Sequence, residues 1–370
     1  MDDQEALAER FIPGITLSRR YVAEVVQPIL DRRFPSLRYA AALIGPGSEV
    51  LGFDTPMSTD HHWGPRVMLL LAEEDYPTVA AEIAATLADE LPSSFLGYRT
   101  NFGPPDEIGV RLLEPISSGT VSHRVETWTV PSFFEQYLEW DTRQSPTTIE
   151  WLTFPQHRLR AATAGEVFLD ETGELTSARD ALAWYPHDVW LYLLAAQWNR
   201  IAEEEAFMAR CGDVGDELGS TLVAARIVRD IIHLCFLIER VYAPYAKWLG
   251  TGFRQLCGGP LLEPILGDAI RGGDWSARQE ALSRAYETVA WLHNDLGITE
   301  PLESRVRQFH GRPYLVIDAA RFAAAIEAQI QDDEVRSLPP RLGSLNQLID
   351  ATDKLEDHER RARLRRIYND

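Results

Sequence analysis

The stretch from Gly45 to Arg66, GPGSEVLGFDTPMSTDHHWGPR, gathers residue types that suit phosphate chemistry. A buried strand that ends in a Gly-Ser turn leaves backbone N–H groups and a hydroxyl pointing outward, the arrangement by which loops cradle phosphate oxygens. Gly47 and Ser48 are the candidates for that cradle. Twelve positions after Ser48, Asp60 stands just ahead of the next apolar run. Pairing of the two runs as neighbouring strands would bring Ser48 and Asp60 to one sheet edge. A third element is Glu126 in HRVETWT, where period-two alternation puts it on one face with Arg124 and Trp128 and leaves Val125 and Thr127 on the other. An acid in the middle of a strand-like segment needs a reason, and metal coordination supplies one.

Around this block the readings divide. Arg66 can bind a phosphate or pair with an acid such as Asp54, and both remain open. Trp63 suits packing better than base stacking. In the later half, charged residues sit beside apolar runs such as IIHLCFLI that must be buried, so some of them face an internal cleft. Arg226, Glu239 and Glu205 are the candidates there. RVYAPYAKW mixes aromatic and basic residues just after a long helix; Lys247 with its neighbours reads as a base and phosphate contact, or the aromatics as core.

The elements that must position these groups follow from periodicity. Tyr39 to Ile44 and Val67 to Leu71 are short buried strands; Val110 to Leu113 and His123 to Thr129 are two more. A helix over 18–33, kinked near Pro28, precedes them, and an Ala-rich helix spans Asp75 to Leu91. Residues 1–140 thus read as an α/β domain, and 141–180 as a connector with a hairpin at GEVFLDETGEL. Residues 181–335 carry apolar positions three and four apart, the mark of a helical bundle, with helices over Asp188 to Arg210, Asp216 to Tyr242 and Ser276 to Leu296. A late strand is expected at Tyr314 to Ile317, and 336–370 form a charged tail with a loosely docked helix.

The chain has 370 residues, with 36 Lys plus Arg against 56 Asp plus Glu, a net charge of −20. Such a field repels polyphosphate backbones and argues against broad nucleic-acid binding, while a local basic pocket can still hold a small anion. Three scattered cysteines, Cys211, Cys235 and Cys257, suit a reducing compartment. The N-terminus lacks an apolar leader and no apolar run reaches membrane length, so a soluble cytoplasmic protein is expected.

Gly-Ser, a spacer, an Asp-x-Asp position and a third carboxylate on a later strand resemble the signature of the nucleotidyltransferase superfamily. The wider block GSEVLGFDTPMSTDHHWGPR resembles more closely the DUF4037 proteins, a family of predicted nucleotidyltransferases. GDVGDELGS, VRDIIHLCFLIERVYAPYAKW and GSLNQLIDATD are similar to that family's C-terminal half. The resemblance implies an α/β plus all-α fold: a nucleotidyltransferase-type mixed sheet domain followed by a helical bundle that closes the site. It also implies metal-dependent transfer of a nucleoside monophosphate, AMP from ATP, to a hydroxyl of a small-molecule acceptor. Gly47 and Ser48 would hold the triphosphate, with Arg66, Arg226 and Lys247 as further nucleotide contacts. Asp60 and Glu126 would ligate the metal, and Glu239 or Glu205 would serve as base. One position departs from the superfamily pattern: His62 stands where a carboxylate is expected. Mg²⁺ prefers oxygen, whereas imidazole suits Mn²⁺ and softer ions, so a set of Asp60, His62 and Glu126 points to Mg²⁺ or Mn²⁺. The alternatives are a non-catalytic nucleotide-binding or regulatory protein and nucleotidylation of a macromolecule, for which the acidic charge disfavours tRNA.

Overall fold

The computed structural model describes residues 11–60, 63–107, 110–116 and 119–368, with the backbone alone for Asp60. It comprises two units, one formed by the chain up to Pro146 with Arg158–Ala183, the other by Thr147–His157 with Trp184–Asp370.

In the first unit, β1 (Tyr39–Leu43), β2 (Arg66–Leu71), β3 (Arg124–Trp128) and β4 (Glu166–Asp170) form one mixed sheet in the order β3-β2-β1-β4. β1 runs antiparallel to β2 and β4, while β2 and β3 are parallel. Every residue of β1 and β2 is buried, which is why these strands read as unbroken apolar runs. Two helices come before the sheet: α1 (Gly14–Tyr21) passes through a π turn at Val22–Val26 into α2 (Gln27–Arg33). The wider turn falls just ahead of Pro28, whose missing N–H removes one rung of the helical ladder. Together with α3 (Tyr76–Glu90) these helices cover one sheet face, where Leu17, Tyr21, Val26, Ile83 and Leu87 pack on Val67, Leu69, Leu71 and Val125.

Two expectations need correction. Val110 to Leu113 is no sheet strand; Leu113 makes an isolated bridge to Phe102. GEVFLDETGEL is no hairpin either. Its first half is β4, and its second half turns into α6 (Glu174–Ala181), which follows α4 (Val130–Leu138) and α5 (Gln156–Thr163) along the chain. The cause is local: the Asp170 carboxylate accepts from Gly173 N at 2.9 Å, Thr176 N at 2.9 Å and Thr176 Oγ1 at 2.7 Å. Those bonds satisfy helix-start donors that a returning strand would instead have paired.

The second unit is helical: α7 (His187–Glu204), α8 (Phe207–Asp213), α9 (Glu217–Ile238), α10 (Gly259–Arg271), α11 (Trp275–Asp295) and α12 (Ala320–Glu327) carry it. The helix expected over Asp188 to Arg210 breaks between α7 and α8, and the late strand shortens to Leu315–Val316, paired with Arg307–Gln308. The tail is anchored rather than loose: Arg361 is fully buried, the Tyr192 hydroxyl donates to Pro339 O at 2.7 Å, and Asn346 Nδ2 donates to Phe154 O at 3.0 Å.

Candidate functional site

Alternation along β2 and β3 sends Arg66, Met68, Arg124, Glu126 and Trp128 to the sheet face away from α1–α3. The register pairs Arg66 with Arg124, Met68 with Glu126, and Leu70 with Trp128. α4 leaves β3 directly, started by a reciprocal Thr129–Ser132 capping box, and brings Phe133, Gln136 and Tyr137 to the same place. α5 adds Arg158. These side chains, with Ile44 and Pro46 at the end of β1, line a cavity of about 270 Å³ that lies wholly within the first unit.

Each guanidinium is held in place. Arg66 donates to Pro46 O at 2.9 Å and meets Glu49 Oε1 at 3.3 Å. Arg124 Nε donates to Glu126 Oε1 at 2.8 Å. Arg158 donates to Tyr137 O at 2.8 Å, and its guanidinium carbon lies 5.2 Å from the Tyr137 ring centre. Among the described residues three arginines and one carboxylate line the cavity, a basic lining on a chain of net charge −20. Burial pulls the Arg124 guanidinium below its usual range, Glu126 opposes the fall and Arg66 adds to it. An anion bound among these groups would relieve that strain, because opposite charge favours the protonated form.

The turn after β1 rests on a residue that sequence reasoning passed over. Glu49 is 3 % exposed, and its carboxylate lies directly against Gly47. A Cβ on Gly47 would come within 2.6 Å of Glu49 Oε2, and Gly47 has φ +140°, so glycine is required twice over. Burial pushes the Glu49 carboxyl up, and Arg66 opposes it. The available signal was an acid directly after Ser48 at the head of an apolar segment. Arg66 does pair with an acid, but the acid is Glu49 and not Asp54. Asp54 instead accepts from Gly14 N at 2.7 Å and Trp63 Nε1 at 3.0 Å. Trp63 is packed, with Phe11 and Tyr98 as ring neighbours.

Of the sequence candidates, Arg66 and Glu126 line the cavity; Gly47 and Ser48 do not. Asp60 ends a short 3₁₀ turn, Pro56–Asp60, and its side chain, like His61 and His62, lies outside the described residues. Among the described residues no group of three or more His, Cys, Asp and Glu side chains converges, and Glu126 is engaged by Arg124. Those residues alone do not fit a divalent cation.

Residues 151–249 match the family described as "Domain of unknown function (DUF4037)". No curated protein matches the chain. The DUF4037 segment carries Arg158 of the cavity, β4, and α7 to α9 of the second unit.

The remaining candidates also lie in the DUF4037 segment, and their partners are specific. Glu205 is 7 % exposed and accepts from three backbone amides, Ile317 at 2.8 Å, Asp318 at 3.0 Å and Ala319 at 3.0 Å. Burial pushes its carboxyl up to about 7, against the pull of those donors. Glu239 accepts from Cys257 N at 2.7 Å and Gly258 N at 2.8 Å, at the start of α10. Arg226 pairs with Glu204 at 2.5 Å, and Lys247 lies 4.9 Å from the Trp248 ring centre. In RVYAPYAKW, Tyr242 is core, packed on Trp184 and Tyr185. No helix among the described residues is long and apolar enough to cross a membrane.

Proposed function

We propose that the cavity on the β2–β3 face binds a nucleoside triphosphate, and that the chain transfers its nucleoside monophosphate, AMP in the leading case, to a hydroxyl of a small molecule. The observation that carries this reading is the convergence of Arg66, Arg124 and Arg158, from three separate elements, on one cavity that also holds Glu126. Guanidinium forks match phosphate oxygens in geometry, and charge-assisted hydrogen bonds of this kind are the strong ones. Phosphoryl-group chemistry needs little beyond positioning and charge neutralisation. The acceptor oxygen attacks the α-phosphorus, the bond to pyrophosphate breaks, and the hydroxyl proton leaves to a base. Among the described residues Glu126 is the carboxylate lining the cavity, so it takes the base role in this proposal. Glu205 and Glu239 already have their oxygens committed to backbone amides. A cation on the chain, Mg²⁺ or Mn²⁺, would require Asp60 and His62 beside Glu126.

The Arg124–Glu126 pair favours a second reading, nucleotide binding without transfer, since an acid neutralised by an arginine is a poor base. Calorimetric titration with ATP, in Mg²⁺ and in Mn²⁺, followed by pyrophosphate release against a set of hydroxylated metabolites, separates the two. Binding with pyrophosphate release supports transfer; binding without release leaves the regulatory reading; no binding of any nucleoside triphosphate removes both.

A further inference from the structure

The arginines account for the charge of the cavity but not for its apolar wall. Trp128, Phe133 and Tyr137 all line it. Phe133 stacks on Tyr137 with ring centres 5.3 Å apart and planes inclined by 17°, and it meets Trp128 edge to face at 6.1 Å. Phosphate groups give no reason for an aromatic wall, and a sugar gives only part of one.

We infer that the Trp128–Phe133–Tyr137 wall is the subsite for the planar heterocycle of the ligand, which packs against these rings. The inference rests on the reading of the cavity as a nucleotide site and adds which end of the ligand lies where. The phosphates take Arg66, Arg124 and Arg158; the base takes the wall. Gln136, exposed on the α4 turn between Phe133 and Tyr137, offers an amide donor and an acceptor to the edge of the same ring. Trp128 is then a specificity residue: it separates nucleotides from polyphosphates and sugar phosphates that would satisfy the arginines equally well.

The test compares ATP with inorganic tripolyphosphate by calorimetry on the full chain, in the wild type and in Trp128→Leu. Tripolyphosphate keeps the arginine contacts and lacks the ring. The expected result is ATP binding at least about tenfold tighter than tripolyphosphate, a gap of the size that base stacking on an aromatic gives. Trp128→Leu removes one ring of the wall. It should weaken ATP by roughly fivefold, the lower end of what one stacked aromatic gives, and leave tripolyphosphate unchanged. Gln136→Ala, at an exposed position, should likewise weaken ATP selectively and provides the measurement if Trp128→Leu does not fold. Equal affinity for the two ligands, or equal losses for both in the variants, overturns the inference while the anion site stands. Binding of neither ligand by the wild type removes the inference and the nucleotide reading together.

Discussion

The two units each concentrate charge in partly buried places, but they do so with different partners. In the helical unit, carboxylates are matched to backbone: Glu205 ends on three amides and Glu239 on two. Polar side chains there close on one another, as where Gln197 and Arg200 both reach Asp230 at 3.1 Å and 3.0 Å. In the sheet unit, three arginines share one cavity with a single acid among the described residues. A carboxylate closed on backbone amides fixes structure, whereas like charges gathered around a cavity favour an added counter-charge. Proximity of acids and bases on helices is therefore weak grounds for a site, and an excess of one sign around a cavity is much stronger.

The largest expected effect tests the helical side. Glu205→Ala strands three buried amides, and loss of such a group costs about 3 kcal/mol or more. Denaturant unfolding should show that loss, with nucleotide affinity at the sheet face unchanged. A neutral Glu205→Ala would erase the contrast between the units. Acidity gives a second check on the same residue. The carboxyl is pushed up from 4.5 to about 7, so between those values the folded chain holds a proton that the unfolded chain has released. Stability from this group then falls as pH rises from about 4.5 to 7 and levels off above. Glu205→Gln should remove that slope from the difference between variant and wild type.

On the cavity side, Arg158→Ala should weaken ATP by about thirtyfold, one charge-assisted contact. Arg158→Lys keeps the charge and loses the fork, and should fall between. Affinity should drop as salt rises, since the pocket attracts by charge. Unaltered ATP binding in Arg158→Ala would take α5 out of the site. Gly47→Ala is expected to be smaller, about 1–3 kcal/mol of stability from a strained φ and a clash with Glu49. It should also loosen Arg66, which is tied to the same turn through Pro46 O and Glu49.

Much of the sheet unit was legible from sequence because its signals are periodic. Tyr39 to Ile44, Val67 to Leu71 and His123 to Thr129 correspond to β1, β2 and β3, and alternation put Glu126 on one face with Arg124 and Trp128, where the cavity lies. What sequence could not give was partner choice. Arg158 arrives from a helix that no local pattern ties to the sheet, and Glu49 is set under its turn by contacts across the fold. The expected hairpin had β4 as its first arm, but its second arm is a helix, because Asp170 bonds locally with Gly173 and Thr176 where sequence suggests a hairpin turn. Glu205 and Glu239 looked like candidate bases because backbone donors more than fifteen residues away leave no trace in a residue pattern.

The smallest effect is the most discriminating one, at Glu126. Its pair with Arg124 is partly exposed, the Glu126 side chain being 40 % accessible, so breaking it should change stability by less than about 1 kcal/mol. The consequence for ligand binding depends on what the acid does. Glu126 holds Arg124 in the ligand-free protein and, on the proposed reading, would compete with phosphate for it, so Glu126→Gln releases that guanidinium from Glu126 and removes one negative charge from the pocket. Affinity for ATP measured without divalent cation should then rise, by about two- to fivefold, since the removed repulsion is that of one partly solvated charge. If Glu126 is also the base of a transfer reaction, the same variant should bind ATP more tightly and release far less pyrophosphate. If the chain only binds, tightening stands alone, because there is no turnover to lose. Weaker ATP binding in Glu126→Gln, with stability intact, would mean that the acid contacts the ligand directly, and the competition between phosphate and carboxylate for Arg124 would have to be abandoned.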